Sequence, residues 1–505
     1  MEAGVFRYGG IMKLEQLLSK FEYELLCGAL DKKITTLVYD SRKVEKDSVF
    51  VCIAGAVSDG HTYIQQTIDK GVCAVVVEKD IDVKEYVNCE NVTFIKTKDT
   101  RLALACMSAD YFGNPAKKLK TIGITGTKGK TTTTYMIKSM LDMAGYKTGL
   151  IGTIETIIGD EHIPSKNTTP ESYTVQESFA KMVDAGCDVV VMEVSSQGLK
   201  LNRVAGFEFD YGLFSNLGVD HIGTNEHKDF NDYLRCKAKL FRCCKHGILN
   251  FDDDHFNEIL EGHTCTVETF GMKEGADLRA DNVRLLSSHG HLGVEYDVKG
   301  LMNFDVKVNI PGKFSVYNSL MAIAICRHFN VSTDVIIKSM KDLKVRGRVE
   351  IVPLEGKKYT MIIDYAHNAM SARSLLTTIK EYNPKRLVVI FGAGGNRDRN
   401  RRFEMGQICS ELADFLILTN DNPRFEEPQA IVDDIITGVK KGNAEYVSIL
   451  DRKEAIRYSM DNAKEGDVIL LIGKGHEDYV EIKGERHHFD EREAIAEILN
   501  ESKEK

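Results

Sequence analysis

The stretch at residues 121–134, TIGITGTKGKTTTT, constrains the fold of this chain more than any other feature. Its first five residues form a run rich in β-branched side chains, which is typical of a buried strand. Gly126 and Gly129 then bracket a tight loop, and Lys130 opens a predicted helix. Backbone N–H groups of such a loop can point at an anion, and the helix N-terminus adds a partial positive charge. The sequence therefore predicts a phosphate-binding loop between a strand and a helix.

The loop is shorter than the common nucleotide-binding pattern. The pattern GxxxxGK[ST] would need glycine at position 124, where this chain has Ile124, and the motif here is GTxGKTT. Lys130 can reach terminal phosphates, and the hydroxyl of Thr131 or Thr132 can reach Mg²⁺. An ordinary strand–turn–helix corner is the alternative. The Gly-Lys-Thr sequence in this context favours the phosphate-binding interpretation.

The composition limits the class of protein. A chain of 505 residues is long enough for about three domains. The formal net charge of −9 argues against nucleic acid as the main partner, because phosphate backbones are bound by clustered Lys and Arg. The 12 cysteines include no C-x-x-C pair, which indicates a reducing compartment. No apolar run is long enough to span a membrane, and the N-terminus lacks a signal-peptide pattern. We therefore expect a cytoplasmic protein, with residues 1–11 as an extension.

The pattern along the chain predicts an α/β protein. Residues 12–118 alternate short strands with short helices, and an Asn-Pro step followed by lysines indicates a linker at the end of this segment. Residues 119–346 contain near-continuous apolar strands, as expected for a parallel sheet covered on both faces. Residues 347–505 alternate again and predict a doubly wound sheet whose functional loops leave the carboxyl ends of the strands.

Lys237 lies in the middle of a predicted apolar helical stripe in residues 228–241. A buried ammonium group is costly unless it has a partner. Two interpretations stay open. The side chain can reach the surface or pair with an acid. Alternatively, its pKa falls enough for reaction with CO₂, and the resulting carbamate, a carboxylate, lies near Mg²⁺.

Polar side chains follow two strands of the central segment. Glu193 ends the strand CDVVVME, and His221 follows the strand DYGLFSNL. Because both positions fall at one edge of the predicted sheet, we interpret them as Mg²⁺ ligands rather than as ordinary buried polar residues. The step at residues 168–170, Thr-Thr-Pro, is compatible with an N-cap at Thr169 and a first-turn proline.

Three loops of the last segment carry charged residues. FGAGGNRDRNRR is not a dinucleotide fingerprint, because Arg397 replaces the third glycine. Its glycines and arginines instead favour recognition of a carboxylate or phosphate. DNPR (421–424) and GKGHEDY (473–479) follow two further strands, so Asp421, Asn422, Arg424 and Glu477 are expected to meet. Cations beside acids suit a zwitterionic amino acid, although each loop alone is compatible with ordinary turn chemistry.

Taken together, these motifs resemble those of a known family. TGTKGKTTT, EVSS, NLGVDH and DYAHN are typical of the ATP-dependent Mur ligases of peptidoglycan synthesis. NTTP, FGAGGNRDR, DNPR and GKGHEDY resemble the branch of that family that forms the tripeptide precursor. The similarity extends from about residue 12 to about residue 500.

The resemblance implies a three-domain Mur ligase fold, with a small N-terminal α/β domain for the uridine nucleotide, a central P-loop parallel-sheet ATPase domain and a Rossmann-like doubly wound C-terminal domain for the incoming amino acid. It also implies roles at matching motif positions. The nucleotide-sugar substrate would be bound by Ser41, Asn167, Thr168, Thr169, Ser195 and Arg203. ATP would be bound by Gly126, Thr127, Lys128, Gly129, Lys130, Thr131, Thr132, Asn318, Arg348 and Asp364. Mg²⁺ would be held by Thr131, Glu193, His221 and carbamylated Lys237, and catalysis would involve these last three with Lys130. The amino acid would be bound by Arg397, Asp421, Asn422, Pro423, Arg424, Gly473 and Glu477.

The implied reaction adds meso-diaminopimelate to the D-Glu carboxylate of UDP-MurNAc-L-Ala-D-Glu. ATP converts that carboxylate into an acyl phosphate, which the amine then attacks. Arg424 favours diaminopimelate, because a guanidinium can bind its distal carboxylate through two hydrogen bonds. The alternatives are the same chemistry with L-lysine or another diamino acid, and a ligase-derived nucleotide-binding regulatory protein. We expect a monomer.

Overall fold

The computed structural model describes residues 12–55, 58–219, 222–223, 226–288 and 291–503. The expected extension at residues 1–11 lies outside this part of the chain. The fold divides into two compact units. The first runs to Asp277 and includes Met321–Ser332, and the second comprises Leu278–Leu320 and the chain from Thr333. The domain boundaries expected after residues 118 and 346 stay predictions.

The first unit begins with a small sheet covered on both faces. The strands here are β1 (Met12–Lys13), β2 (Glu24–Cys27), β3 (Lys33–Ile34), β4 (Thr36–Val38), β5 (Ser48–Val51), β6 (Ala74–Val77) and β7 (Thr93–Lys96). Of these, β1 and β3 form a separate two-stranded sheet, and the other five form the small sheet. Its helices are α1 (Leu14–Leu17), α2 (Ile64–Asp69) and α3 (Thr100–Tyr111), with 3₁₀ turns at Ser41–Lys43, Gly60–Tyr63, Val83–Glu85 and Pro115–Lys118. The sheet order is β2-β7-β6-β5-β4, and β4 to β7 run parallel. Val49 and Val51 pack in one core while Phe50 packs in another, as the two-residue period of a strand requires.

A larger parallel sheet follows in the same unit. Its strands are β8 (Lys120–Thr125), β9 (Thr148–Ile151), β10 (Glu155–Ile158), β11 (Glu161–Pro164), β12 (Val189–Glu193), β13 (Phe209–Phe214), β14 (Cys244–Asn250) and β15 (Thr266–Gly271). Its helices are α4 (Lys130–Met143), α5 (Ser172–Asp184), α6 (Ser196–Lys200), α7 (Phe230–Ala238) and α8 (Phe256–Ile259), with a 3₁₀ turn at Lys239–Arg242. The order within this unit is β11-β10-β9-β12-β8-β13-β14-β15. The six strands from β9 to β15 in this order are parallel, so their carboxyl ends share one edge.

The second unit begins with an antiparallel meander and ends in a doubly wound sheet. The meander comprises β16 (Leu278–Ser288), β17 (His291–Gly300) and β18 (Phe304–Val308). The chain continues into α9 (Phe314–His328), whose residues from Met321 onwards belong to the first unit, and then into α10 (Thr333–Asp342). The later strands are β19 (Glu350–Val352), β20 (Thr360–Asp364), β21 (Arg386–Phe391), β22 (Phe415–Leu418), β23 (Glu445–Ser448), β24 (Asp467–Ile472), β25 (Tyr479–Ile482) and β26 (Glu485–His488). The later helices are α11 (Ala369–Lys380), α12 (Asn400–Leu412), α13 (Pro428–Val439), α14 (Arg452–Asp461) and α15 (Glu491–Lys503). The sheet order is β19-β20-β24-β21-β22-β23, and all strands but β19 are parallel.

This architecture confirms the expected fold class. A parallel sheet carries the predicted phosphate loop, and a doubly wound sheet forms the C-terminal part. Among the helices that the structure describes, none combines the length and apolar character needed to cross a bilayer.

Candidate active site

The predicted phosphate loop lies where β8 ends and α4 begins. Gly126 and Gly129 have φ angles of 147° and 89°, in the region that favours glycine. A Cβ atom at Gly126 would lie 1.9 Å from Oγ of Ser215, so a larger residue would not fit. The Nζ atom of Lys130 donates to the carbonyl oxygens of Gly126 and Thr127, at 2.7 and 3.1 Å. The side chain of Lys130 therefore contacts the phosphate loop.

The end of β13 holds the phosphate loop in shape. Oγ of Ser215 donates to the carbonyl oxygen of Lys128 at 2.7 Å. The side-chain oxygen of Asn216 accepts from the backbone N–H of Lys128 at 3.0 Å, and its carbonyl accepts from Thr127 at 2.8 Å. These hydrogen bonds pair backbone groups of the loop with other protein atoms. They therefore keep the loop in one conformation without a ligand.

Glu193 lies at the end of β12, beside the loop, and is 1% exposed. Its carboxylate accepts from Oγ1 of Thr131 at 3.0 Å, from the backbone N–H of Thr153 at 2.8 Å and from Oγ1 of Thr153 at 2.9 Å. A Cβ atom at Gly152 would lie 2.6 Å from this carboxylate, so glycine makes room for it. The donor set, a carboxylate with hydroxyl oxygens, consists of the hard oxygen ligands that Mg²⁺ prefers. The residues present therefore fit a magnesium site.

Lys237 is buried on α7 and is 1% exposed. Its Nζ atom donates to the carbonyl oxygen of Gly126 at 2.7 Å and lies 4.5 Å from the ring centre of Tyr233. The hydroxyl of Tyr233 lies 3.0 Å from Oγ1 of Thr127. The expectation that this lysine could extend to the surface is wrong, because its amine points at the phosphate loop.

The Thr-Thr-Pro motif lies at the same edge of the sheet as Glu193. Oγ1 of Thr169 donates to the carbonyl oxygen of Glu193 at 2.9 Å and accepts from the N–H of Ser195 at the same distance. Oγ1 of Thr168 shares a hydrogen bond of 3.0 Å with Oγ1 of Thr153. The interpretation of Thr169 as an N-cap is wrong, because α5 begins two residues after the proline with Glu171 as its cap.

Two further predicted substrate residues lie near this motif. Ser195 caps α6 by accepting from the N–H of Gly198 at 3.0 Å. Arg203 donates from Nη1 to the carbonyl oxygen of Thr169 at 3.1 Å, and its Nε lies 3.5 Å from the carboxylate of Glu171. Thr169 therefore connects three residues, binding the backbones of Glu193 and Ser195 through its hydroxyl and Arg203 through its carbonyl oxygen.

The other residues expected to bind ATP or the nucleotide sugar differ in how deeply they are buried. Thr132 is buried in the first turn of α4, Ser41 is buried in its 3₁₀ turn, and Asn167 is exposed. Asn318 is buried in α9. His221 lies outside the described residues, and its role stays a prediction.

In the second unit, three charged loops leave the carboxyl ends of β21, β22 and β24. Lys474, which is 0% exposed, donates to the carbonyl oxygen of Tyr479 at 2.6 Å and to the side-chain oxygen of Asn422 at 3.3 Å. The same Nζ atom lies 3.6 Å from Glu477 and 3.9 Å from Asp421. The amide of Asn422 donates to Glu477 at 2.9 Å. Burial raises the pKa of Glu477, and the nearby Asp421 raises it further.

Arg424 and Arg397 lie at the rim of this cluster. Arg424 has a φ of 52° and donates from Nε to the carboxylate of Glu481 at 3.1 Å and from Nη1 to the carbonyl oxygen of Gly395 at 2.8 Å. Arg397 is exposed on the glycine-rich loop. A Cβ atom at Gly395 would lie 1.9 Å from the carbonyl oxygen of Pro423, and one at Gly473 would lie 2.8 Å from the Asp421 carboxylate. Both glycines let the loops approach closely.

The antiparallel pair of β19 and β20, with the residues at its ends, places a buried acid near an arginine. Asp364 accepts from the N–H groups of Val349 and Ala366, both at 2.8 Å. Burial raises the pKa of Asp364, and the charge of Arg348 opposes that effect. The guanidinium of Arg348 lies 4.9 Å from the ring centre of Tyr365.

Three models of Mur ligase domains match consecutive parts of the chain. The "Mur ligase family, catalytic domain" matches residues 33–112, the "Mur ligase middle domain" residues 124–326, and the "Mur ligase, glutamate ligase domain" residues 347–475. This chain belongs to the Mur ligase family. The resemblance drawn from the sequence motifs is thereby confirmed.

Individual relatives and solved structures show which Mur ligases this chain resembles. It is 43% identical to a protein of Clostridium perfringens named UDP-N-acetylmuramoyl-L-alanyl-D-glutamate–2,6-diaminopimelate ligase, over 97% of this chain and 99% of the relative. A solved structure of a ligase of that name matches with a TM-score of 0.72 and 25% identity, covering 98% and 100% of the two chains. A MurF ligase of Thermotoga maritima in complex with ADP shares the fold, with a TM-score of 0.58, 17% identity, and coverage of 93% and 98%.

Sequence reasoning missed several supporting residues of this Mur ligase site. Ser215 and Asn216 follow an apolar strand, and Thr153 follows another, so each carried only the weak signal of a polar residue at a strand end. Lys474 lies in the GKGHEDY motif, but a lysine between two glycines gives no sign in the sequence that it is buried. These four residues hold the predicted ones in place.

Proposed function

We propose that this Mur ligase adds meso-2,6-diaminopimelate to the D-Glu carboxylate of UDP-MurNAc-L-Ala-D-Glu, using ATP, in the synthesis of peptidoglycan precursor. The full-length similarity to ligases named for this reaction supports the proposal. The observation that carries it is the cluster of Thr131, Glu193 and Thr153 beside the phosphate loop. The Thr-Thr-Pro motif contacts the backbone of the same glutamate.

The first step joins two anions. An oxygen of the D-Glu carboxylate attacks the γ-phosphorus of ATP, the bond to the β-phosphate oxygen breaks, and ADP leaves. The ammonium of Lys130 and the N–H groups at the start of α4 stabilise the charge on the transferring phosphoryl group. Thr131 and Glu193 would hold Mg²⁺, with His221 as a further ligand by its motif position, and the ion would neutralise phosphate charge.

The second step forms the amide bond. The unprotonated amine of the amino acid attacks the acyl carbon, inorganic phosphate leaves, and the nitrogen gives up a proton. The acidic side chains of Asp421 and Glu477 suit the ammonium groups of a diamino acid, and Arg424 suits its distal carboxylate. Glu481 already holds Nε of Arg424, which would fix the plane of the guanidinium. A lysine substrate would place an ammonium group where this arginine lies.

We also propose that Lys237 carries a carbamate. Its neutral amine would attack the carbon of CO₂, forming an N–C bond and releasing one proton. The product keeps one N–H, which can still donate to the carbonyl oxygen of Gly126 as the amine does. A carboxylate on this side chain would add an oxygen ligand near the phosphate loop. The burial of Lys237 and the contact of its amine with the phosphate loop support this proposal.

The test supplies purified enzyme with ATP, Mg²⁺, UDP-MurNAc-L-Ala-D-Glu and one amino acid at a time. We expect ADP release and a tripeptide product, identified by mass, with meso-diaminopimelate and not with L-lysine or ornithine. ADP release with lysine and none with diaminopimelate would reject the choice of amino acid. ATP binding without turnover for any amino acid would favour a regulatory protein and reject the ligase function.

A further inference from the structure

A cavity of about 520 Å³ lies at the amino-terminal edge of the large parallel sheet. Its walls include residues within one position of the start of three parallel strands: Lys120 of β8, Asp188 before β12 and Lys245 of β14. The phosphate loop follows the other end of β8. A strand rises about 3.3 Å per residue, so roughly 16 Å of β8 separates the two edges. The cavity is therefore separate from the candidate active site.

A buried amide without a partner points to a ligand here. Gln176 of α5 lines the cavity and is 1% exposed. Neither its Nε2 nor its Oε1 atom has a hydrogen-bond partner among the residues that the structure describes. Leaving a buried polar group unpaired costs about 1–3 kcal/mol. A molecule in the cavity with both a donor and an acceptor would satisfy this side chain.

Lysine side chains give the cavity an excess of positive charge. Five lysines line it against three acids, namely Lys20, Lys117, Lys118, Lys120 and Lys245 against Asp188, Glu208 and Asp210. Lys120 and Lys245 lie 3.9 and 2.9 Å from the same carboxylate, that of Asp210. Lys117 and Lys118 are exposed and form no ion pair within the described part of the chain. These two amines are free to bind an anion.

The remaining wall is apolar and lies between two segments of the first unit. Phe207 and Leu119 line one part, and Ala109 of α3 lines another. Gly206 lets its loop approach α3, because a Cβ atom there would lie 2.6 Å from the carbonyl oxygen of Ala105. A ligand in the cavity would thus contact both the N-terminal segment and the parallel sheet.

We propose that this cavity binds a small phosphate-bearing molecule, whose phosphate lies on Lys117 and Lys118 and which offers Gln176 one hydrogen-bond donor and one acceptor. Its volume is in the usual range for small-molecule pockets, and lysine is a common phosphate-binding residue. The site is independent of the ligase reaction. A free phosphate ion and a nucleotide share the required chemistry.

The test measures binding of inorganic phosphate and of ADP to the full chain by calorimetry. The Lys130→Ala variant, which weakens the phosphate loop, serves as the background. We expect at least one probe to bind this protein and to lose tenfold or more in affinity when Lys117→Glu and Lys118→Glu are added. Lys440→Glu with Lys441→Glu is the matched control, since these adjacent exposed lysines lie at the end of α13, and it should leave affinity unchanged.

The outcomes separate the sources of the ligand. Loss confined to ADP identifies a nucleotide, and loss confined to phosphate identifies the free ion. Equal affinity of the Lys117/Lys118 variant and the control would overturn the proposal, as would the absence of any binding to the Lys130→Ala protein. A Gln176→Leu variant adds a second measurement, with weaker binding expected because the amide is lost. None of these results depends on turnover by the ligase.

Discussion

Lys130 and Lys237 donate to the same acceptor, since each Nζ atom lies 2.7 Å from the carbonyl oxygen of Gly126. Two ammonium groups at one oxygen repel each other, and Lys237 is also buried. Carbamylation of Lys237 would remove one of these two cations from the phosphate loop. A neutral amine is the form that reacts with CO₂.

Replacing Lys237 should lower the rate of ADP release without preventing the binding of ATP. Lys237→Arg keeps a cation but cannot form the carbamate, so we expect the rate of ADP release to fall by roughly 100-fold while ATP still binds. Intact-protein mass measured in bicarbonate buffer should show one added CO₂ on the wild-type chain and none on the variant. A short carboxylate such as acetate should partly restore Lys237→Ala. Full activity of the arginine variant would contradict the carbamate.

Removing the charge of Glu193 should weaken the use of Mg²⁺ without unfolding the site. In Glu193→Gln the amide oxygen can accept from Thr153, and the new N–H₂ can donate to the hydroxyls of Thr131 and Thr153. We expect a loss of roughly 100-fold in kcat and a higher Mg²⁺ requirement, because one metal ligand becomes neutral. Glu155→Gln is the control, since that carboxylate binds Tyr135 instead. An unchanged Mg²⁺ titration curve would remove Glu193 from the metal site.

Residues at the end of a single strand could be predicted from the sequence, and the residues that support them from other strands could not. The phosphate loop follows an apolar strand and Glu193 ends another, so both positions could be predicted from the strand pattern alone. Ser215 supports the loop only because β13 pairs with β8, and strand order is not encoded in a local pattern. The start of α5 was misplaced because a Thr-Pro step resembles a helix start, whereas here Thr169 binds the backbone of β12.

Arg424 should decide which amino acid is used. Because Glu481 and Gly395 hold its guanidinium, the group can bind a distal carboxylate with little loss of side-chain freedom. We expect Arg424→Lys to lower kcat/KM for meso-diaminopimelate by roughly 100-fold, since lysine lacks the two-pronged geometry. The KM for ATP should not change. Equal kcat/KM in the two proteins would show that another group binds the distal carboxylate.

His476 should make the C-terminal region sensitive to acid. Burial, together with Arg348, Arg346 and Arg492, lowers the pKa of His476 to about 3. The unfolded chain therefore binds a proton near pH 6.5 that the folded chain does not, so stability falls as the pH drops from 6.5 towards 3. The loss amounts to about 2 kcal/mol at pH 5.

Urea denaturation at several pH values checks this expectation. His476→Gln, which has no titrating proton, should show a shallower decline between pH 6.5 and pH 5 than the wild type. The same variant should match the wild-type slope above pH 7, where the histidine is neutral in both states. Parallel curves across the acid range would assign the acid sensitivity to other groups.

Arg452 and Glu491 form a buried ion pair that should hold two loops of the amino-acid site. Arg452 donates from Nε and Nη2 to Glu491 at 2.9 and 2.7 Å, and it also binds the carbonyl oxygens of Asn420 and Ile472, both at 3.1 Å. Those carbonyls directly precede the DNPR and GKGHEDY loops. Arg452→Met leaves a buried, uncompensated carboxylate, so we expect a loss of about 3–5 kcal/mol in the free energy of unfolding and a higher KM for the amino acid.

The double variant Arg452→Met/Glu491→Leu separates charge from loop positioning. Because it removes both charges, it should recover most of the lost stability in urea denaturation. It should keep the raised KM, since the carbonyls of Asn420 and Ile472 still lack their donor. A double variant that is as unstable as the single one would show that the loops, and not the unpaired Glu491, dominate the cost. Wild-type KM values in both variants would show that the DNPR and GKGHEDY loops keep their positions without Arg452.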